Sequence, residues 1–271
     1  MGAQSLPPCR PGPIGAAMQA EFEGPRTAIV TGGAKRIGAA LVRALHADGW
    51  HVLIHCNRSR DEAEALAAEL GNAAMVAADL AEPDAAGTIM KALGGLPPAR
   101  LLINNASLFG YDTAGDFAIP QWDMHQAVNA RAPALLSRAF AEALGGRGGL
   151  IVNMLDAKLA APNPDFFSYT ISKMALAGLT ELHARFYADR GIRVCGIAPS
   201  VTLVSGPQSR ANFAEVHRLN ALGRGVEAAE IAAALRFIVA TPTLTGQTIV
   251  LDGGQRFLGL PRDVQFLERQ P

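Results

Sequence analysis

The chain has 271 residues, 49% hydrophobic and 18% charged, enough to bury a full core and to form one α/β domain. Its 24 Lys and Arg balance 24 Asp and Glu, so no global field favours nucleic acid or an anionic membrane surface. No apolar stretch approaches the roughly 18 residues of a bilayer span, and Cys9, Cys56 and Cys195 offer neither metal-ligand spacing nor a complete disulfide scheme, which fits a reducing cytoplasm.

Residues 1 to 24 are rich in Pro, Gly and Ala, show no sustained period and lack the charged start and apolar run of a secretory signal. They read as a mobile leader before a domain over 25–271. Thr27 to Val30 is a β-prone run, and TGGAKRIG leads directly into apolar residues at helical spacing (Ile37, Leu41, Ala44, Leu45). A glycine-rich strand-to-helix turn lets a backbone approach a pyrophosphate at a helix N-terminus. The spacing G-x-x-x-R-x-G, with Arg36 where a third glycine is often found, leaves open a tight turn needed only for packing.

His51 to His55 is the second predicted strand. No acidic residue follows to accept a ribose 2′-hydroxyl; His55, Arg58 and Ser59 offer donors instead. Arg58 and Arg36 suit a 2′-phosphate, so NADPH is expected over NADH. Ala74 to Ala78 forms a third strand ending in Asp79 and Leu80, Ala85 to Leu93 a helix, and Leu101 to Ile103 a fourth strand ending in Asn104, Asn105, Ala106 and Ser107. Alternating strands and helices imply right-handed crossovers and a parallel sheet, with ligands at the carboxyl ends of the strands.

A helix is expected from Trp122 to Phe140. Asn129 within it is unfavourable unless its amide holds a backbone group or a relay water, or caps a kink. Leu150 onward is a buried strand, followed past the Pro- and Asn-rich segment Ala161 to Asp165 by a helix carrying Tyr169 and Lys173 on one face. A free phenol titrates near about 10, and a cation beside it lowers that value, making Tyr169 a credible proton donor. Arg193 to Ile197 is a sixth strand ending in Ala198, Pro199 and Ser200; Val201 to Gly225 suits a loop over the substrate; Thr248 to Leu251 is the last strand.

In this order TGGAKRIG, Asp79-Leu80, NNAS, Asn129, YTISK and GQTIVLDGG, spanning roughly residues 26 to 258, resemble the short-chain dehydrogenases/reductases. The resemblance implies a single doubly wound Rossmann domain with a seven-stranded parallel sheet. It also implies Tyr169 as proton donor, Lys173 on the nicotinamide ribose lowering the Tyr169 pKa, and Asn129 in a water-mediated relay. Gly32 and Gly38 would shape the pyrophosphate turn, Asp79 would meet adenine and Asn105-Ala106 the ribose beside it. Arg36, Ile37, His55, Arg58, Ser59, Leu80, Ser107 and Pro199 complete the implied NADPH site.

Most of that family carries a serine thirteen residues before the tyrosine; here the position is Asp156. An ionised carboxylate only accepts hydrogen bonds, which suits a heterocycle with N–H donors. With the His55–Ser59 run HCNRS, NASLF at Asn105–Phe109 and MLDA at Met154–Ala157, this resembles the pteridine reductases. The likeness implies a pterin held between nicotinamide and Phe109, contacts from Ser107 and Arg36, and a proton from Asp156 and Tyr169. Ser200, where Gly is usual, is shared with the similar dihydromonapterin reductases. Two further readings stand beside it, a reductase of another carbonyl or imine and an NADPH-binding sensor without turnover. The resemblance also implies a homotetramer packed through the Asn129 and Tyr169 helices and the last strand. The segment after Gly259 either reaches a neighbouring subunit's site or frays.

Overall fold

The computed structural model describes residues 22–204 and 210–267. Seven strands form one all-parallel sheet in the order β3-β2-β1-β4-β5-β6-β7. They are β1 (Thr27–Val30), β2 (His51–Cys56), β3 (Ala73–Ala77), β4 (Ala99–Asn104), β5 (Gly149–Met154), β6 (Ile192–Pro199) and β7 (Thr248–Leu251). β1, β5 and β6 are buried at every position, because helices cover both faces of a parallel sheet and leave no solvent side to alternate with.

Successive strand residues therefore feed two separate cores. Ala28, Val30, Val52, Ile54, Leu101 and Ile103 pack under Leu41 and Leu45 of α1 (Arg36–Ala47) and Ile231, Leu235 and Ile238 of the helix Ala228–Val239. Ile29, Leu53, Leu102 and Ile151 face the other way, toward Ile89, Leu136, Phe140 and Tyr187. The remaining helices are α2 (Arg60–Leu70), α3 (Ala85–Lys91), α4 (Ile119–Gln126), α5 (Ala132–Ala143), α6 (Phe167–Tyr187) and α7 (Arg210–Val216), which makes Ala228–Val239 α8. The strand order reverses between β1 and β4, opening the crevice where ligands bind such sheets.

Three sequence expectations shift. Phe22, assigned to the leader, is buried against Trp50 with ring centroids 5.5 Å apart, and Arg26 donates to its carbonyl oxygen; burying such a ring is worth about 1.5–3 kcal/mol. The rest of the expected leader, residues 1–21, lies outside the described residues. The helix expected over Trp122 to Phe140 is α4 and α5 joined by a π-helical stretch, Ala127–Arg131. The segment 201–225 is not wholly loop, since α7 occupies part of it.

Candidate active site

The glycine turn sits over the β1 end of the crevice and is tied down from both neighbouring strands. Thr31 Oγ1 accepts the backbone N–H groups of Asn105 and Ala106, at 2.9 and 3.0 Å, and donates to the Ile103 carbonyl. Asn105 Nδ2 donates to the carbonyls of Thr31 and Gly32. Gly32 takes a left-handed φ of 60°, and a Cβ on Gly38 would stand 2.1 Å from the Gly32 carbonyl oxygen and 2.8 Å from Asn105 Nδ2. Only hydrogen fits there, so helix α1 starts directly beneath the turn with its N-terminus aimed at the crevice, the geometry a pyrophosphate needs. Arg36 itself has φ 56° and reaches across to donate to the Val204 carbonyl at 2.7 Å.

His55 does not serve as the external donor that the sequence suggested. The imidazole is 1% exposed, its Nδ1 accepts the Gly32 N–H at 3.2 Å and its Nε2 donates to the Ala78 carbonyl at 3.0 Å. Burial lowers its pKa, so the ring stays neutral and ties the turn to β2 and β3. Leu80 likewise turns its side chain into the core. Arg58 and Asp79 are exposed and Ser59 half-buried, at the carboxyl ends of β2 and β3, where an adenosine half would lie. Asp79 also accepts the Ala81 N–H, closing its own turn.

Toward the other end of the crevice, Arg36, Ile37, Asn105, Ser107, Phe109, Asp156, Tyr169, Lys173 and Pro199 line one cavity of about 280 Å³. Tyr169 Oη donates to Asp156 Oδ2 at 2.7 Å, and the Lys158 N–H donates to Asp156 Oδ1 at 2.8 Å. Lys173 is 2% exposed and donates to the Met154 carbonyl at 2.7 Å, with its nitrogen 5.8 Å from the Tyr169 ring centroid. Burial raises the Asp156 pKa despite its hydrogen bonds, and burial lowers that of Lys173 to about 8. The Tyr169 phenol lies well above its ordinary value, through burial first and then the adjoining Asp156 carboxylate. The direction is opposite to the lowering expected from Lys173: burial dominates, the Asp156 carboxyl at 2.7 Å adds to it, and Lys173 is turned to the Met154 carbonyl.

Asn129 is fully buried behind this wall. Its Oδ1 accepts the Leu108 N–H at 2.8 Å, while Nδ2 donates to the Leu108 carbonyl and to Ser172 Oγ. Its amide thus holds backbone, one of the roles left open for it, from within the π-helical stretch Ala127–Arg131. Ser172 Oγ in turn donates to the Tyr169 carbonyl. Phe109 is 42% exposed, stacks on Phe166 at 4.3 Å and meets Tyr169 edge-on at 4.8 Å.

Sequence reasoning missed four participants. Thr31 carries a weak signal, being a hydroxyl just ahead of the glycines. Asp112, a buried carboxylate that accepts the Ser168 N–H at 3.0 Å and the Ser168 hydroxyl, caps α6 from another loop, a contact no local pattern announces. Lys158 and Asp165 join the far wall to the segment after Gly259, which folds against its own chain's cavity through Leu260 and Asp263 to Gln265. Its described part, residues 260–267, makes that contact within one chain, and residues 268–271 lie outside the described residues.

A family model described as short chain dehydrogenase matches residues 26–213. The chain is 31% identical over 239 residues to an L-xylulose reductase of Bos taurus, covering 84% of this chain and 96% of that protein. It is 30% identical over 275 residues to pteridine reductase 1 of Leishmania tarentolae, with 84% and 95% covered. Among solved structures, FolM alternative dihydrofolate reductase 1 from Brucella canis, complexed with NADP, matches with 42% identity and a TM-score of 0.82 over 88% of this chain and 96% of that one. With Tyr169 and Lys173 on one helix, the glycine turn and the strand order already agreeing, the chain belongs to the short-chain dehydrogenase/reductase family of oxidoreductases.

Proposed function

We propose that the protein is an NADPH-dependent reductase of a C=N bond in a pterin or dihydropterin. The observation that carries this reading is the 2.7 Å hydrogen bond between Tyr169 Oη and Asp156 Oδ2 at the base of a cavity walled by Phe109. A simple ketone needs only a hydroxyl donor there. A carboxyl whose pKa is raised by burial can pair with ring N–H and amino groups and share the Tyr169 proton.

NADPH, when bound, supplies the hydride. The residues that would hold it are the Gly32–Gly38 turn for the pyrophosphate, Arg58 and Ser59 for the 2′-phosphate, and Asn105, Ser107, Lys173 and Pro199 toward the nicotinamide. Tyr169 enters protonated, since burial and Asp156 keep its pKa high. As the ring carbon gains hydride, the adjacent nitrogen takes the proton shared between Tyr169 and Asp156. The Lys173 ammonium stands within reach of the negative charge left on that pair. The intact Tyr169–Asp156–Lys173 arrangement favours turnover over a sensor, which needs the cofactor crevice alone.

The test is NADPH oxidation with dihydrobiopterin, dihydromonapterin and dihydrofolate beside a panel of simple ketones, in the wild type and in Asp156→Ser. Pterin turnover that falls about a hundredfold in the variant with NADPH affinity kept supports the assignment; turnover on ketones alone refutes it.

The same reading includes a homotetramer in the cytoplasm. On α6, Met174, Gly178, Leu182 and Phe186 recur every four residues along one face; Met174, Leu182 and Phe186 are 41%, 63% and 70% exposed, and Gly178 leaves open space for a close helix. Cys56 and Cys195 are buried free thiols, which suits a reducing compartment.

A further inference from the structure

The far wall of the cavity hangs on one buried carboxylate. Asp165, 2% exposed, accepts two parallel bonds from the Arg262 guanidinium, both at 2.8 Å, and a third from the Asp263 N–H at 2.7 Å. Lys158 closes a second tie, donating to the Asp165 carbonyl at 2.6 Å and reaching Asp263 Oδ2 at 3.4 Å. Burial pushes the Asp165 carboxyl up, but the Arg262 fork and the Asp263 N–H outweigh it and hold the group below its ordinary value, so the pair stays ionised at neutral pH.

The next residue makes this clasp matter to the substrate side. Phe166 takes a left-handed φ of 54°, a strained conformation for a bulky side chain, so something must hold it. Its ring is stacked between Phe109 at 4.3 Å and Phe266 at 5.8 Å, with interplanar angles of 22° and 23°. Tyr111 meets both Phe166 and Phe266 edge-on. Phe266 belongs to the C-terminal segment that Arg262 and Asp263 anchor. The Lys158 backbone, meanwhile, donates to Asp156. Two lines of contact thus run from the clasp, one to the aromatic wall and one to the carboxyl that shares the Tyr169 proton.

We propose that Asp165 and Arg262 are positioning residues: they clasp the C-terminal segment as a strap behind the Phe166–Phe109 stack and so set the aromatic wall against which a planar heterocyclic substrate binds. Neither Asp165 nor Arg262 itself lines the cavity that the cofactor-side residues share. The identity of the substrate as a pterin rests on the function proposed above; the strap does not.

The experiment compares wild type with Arg262→Met, Arg262→Lys and Asp165→Asn. Arg262 is half exposed and its loss leaves Asp165 still bonded to the Asp263 N–H, so the Arg262 variants carry the test even if Asp165→Asn does not accumulate. Hydrogen exchange of the 259–267 peptide in the NADPH-bound protein should speed up in Arg262→Met, reporting strap release without reference to activity. KM for a dihydropterin should rise about tenfold or more, with kcat within about twofold and NADPH affinity unchanged, and Arg262→Lys, which keeps the charge and loses the fork, should fall between. Unchanged KM in Arg262→Met overturns the proposal, whether or not exchange has sped up. A change in kcat and NADPH affinity together also overturns it, since that is general loosening. If the wild type reduces a ketone and no pterin, the pterin reading falls, and the same KM comparison on that ketone still judges the strap.

Discussion

Replacing Lys173 by Met keeps most of the apolar stem of the side chain and removes its charge and its hydrogen-bond donor. In the folded protein burial lowers the Lys173 pKa to about 8, against 10.5 ordinarily. Between those values the unfolded chain still binds the proton that the folded one has released, so stability rises with pH across the window. The burial penalty is fully present below about pH 8 and gone above about 10.5. At 1.36 kcal/mol per pH unit this amounts to about 3 kcal/mol. The Met154 carbonyl also loses its donor in the variant, a cost of about 1–3 kcal/mol that does not depend on pH. Urea unfolding of both proteins without NADPH, from pH 7 to 10.5, isolates the charge. The wild type should gain about 3 kcal/mol on Lys173→Met across that range while the variant loses turnover throughout. A difference in stability that stays flat from pH 7 to 10.5 refutes the argument.

Two substitutions test the cofactor crevice. Gly38→Ala drives a methyl to 2.1 Å from the Gly32 carbonyl oxygen, a backbone atom that cannot swing aside, so NADPH affinity should fall at least about tenfold and Tm by several degrees; titration showing an unchanged Kd counts against the turn as the pyrophosphate site. Arg58→Ala removes a charge-assisted bond worth about 1.5–3 kcal/mol and should weaken NADPH about 10- to 100-fold while leaving NADH within about threefold. Equal losses for both cofactors, read by fluorescence titration, would mean that Arg58 does not contact the 2′-phosphate.

The sheet was legible because parallel strands buried on both faces write themselves as apolar runs, and each expected strand lies within two residues of its observed bounds. The Tyr169–Asp156 pairing was implied by the family resemblance, not by spacing itself; in the structure a strand end and the first turn of the next helix bring the two together at the crevice. The role of His55 could not be read. Every residue of β2 after His51 is buried, so alternation gives no clue that its imidazole points beneath the turn. The raised Tyr169 pKa was equally hidden: it comes first from burial of the phenol and then from the adjoining Asp156 carboxyl, neither of which a helix-face spacing reveals. The Arg262–Asp165 pair joins residues 97 apart in the chain and leaves no periodic trace.

The loop from Ala106 to Asp112 is fastened at three separate places. Its first N–H ends on Thr31, both backbone groups of Leu108 close on Asn129, and Asp112 caps the helix that carries Tyr169. All three fastenings use backbone or a side chain that faces away from the cavity. The ring and hydroxyl between them, at Phe109 and Ser107, take no part in these fastenings and hang from a fixed beam. Substitutions there can reshape the mouth of the cavity while every one of these fastenings stays made.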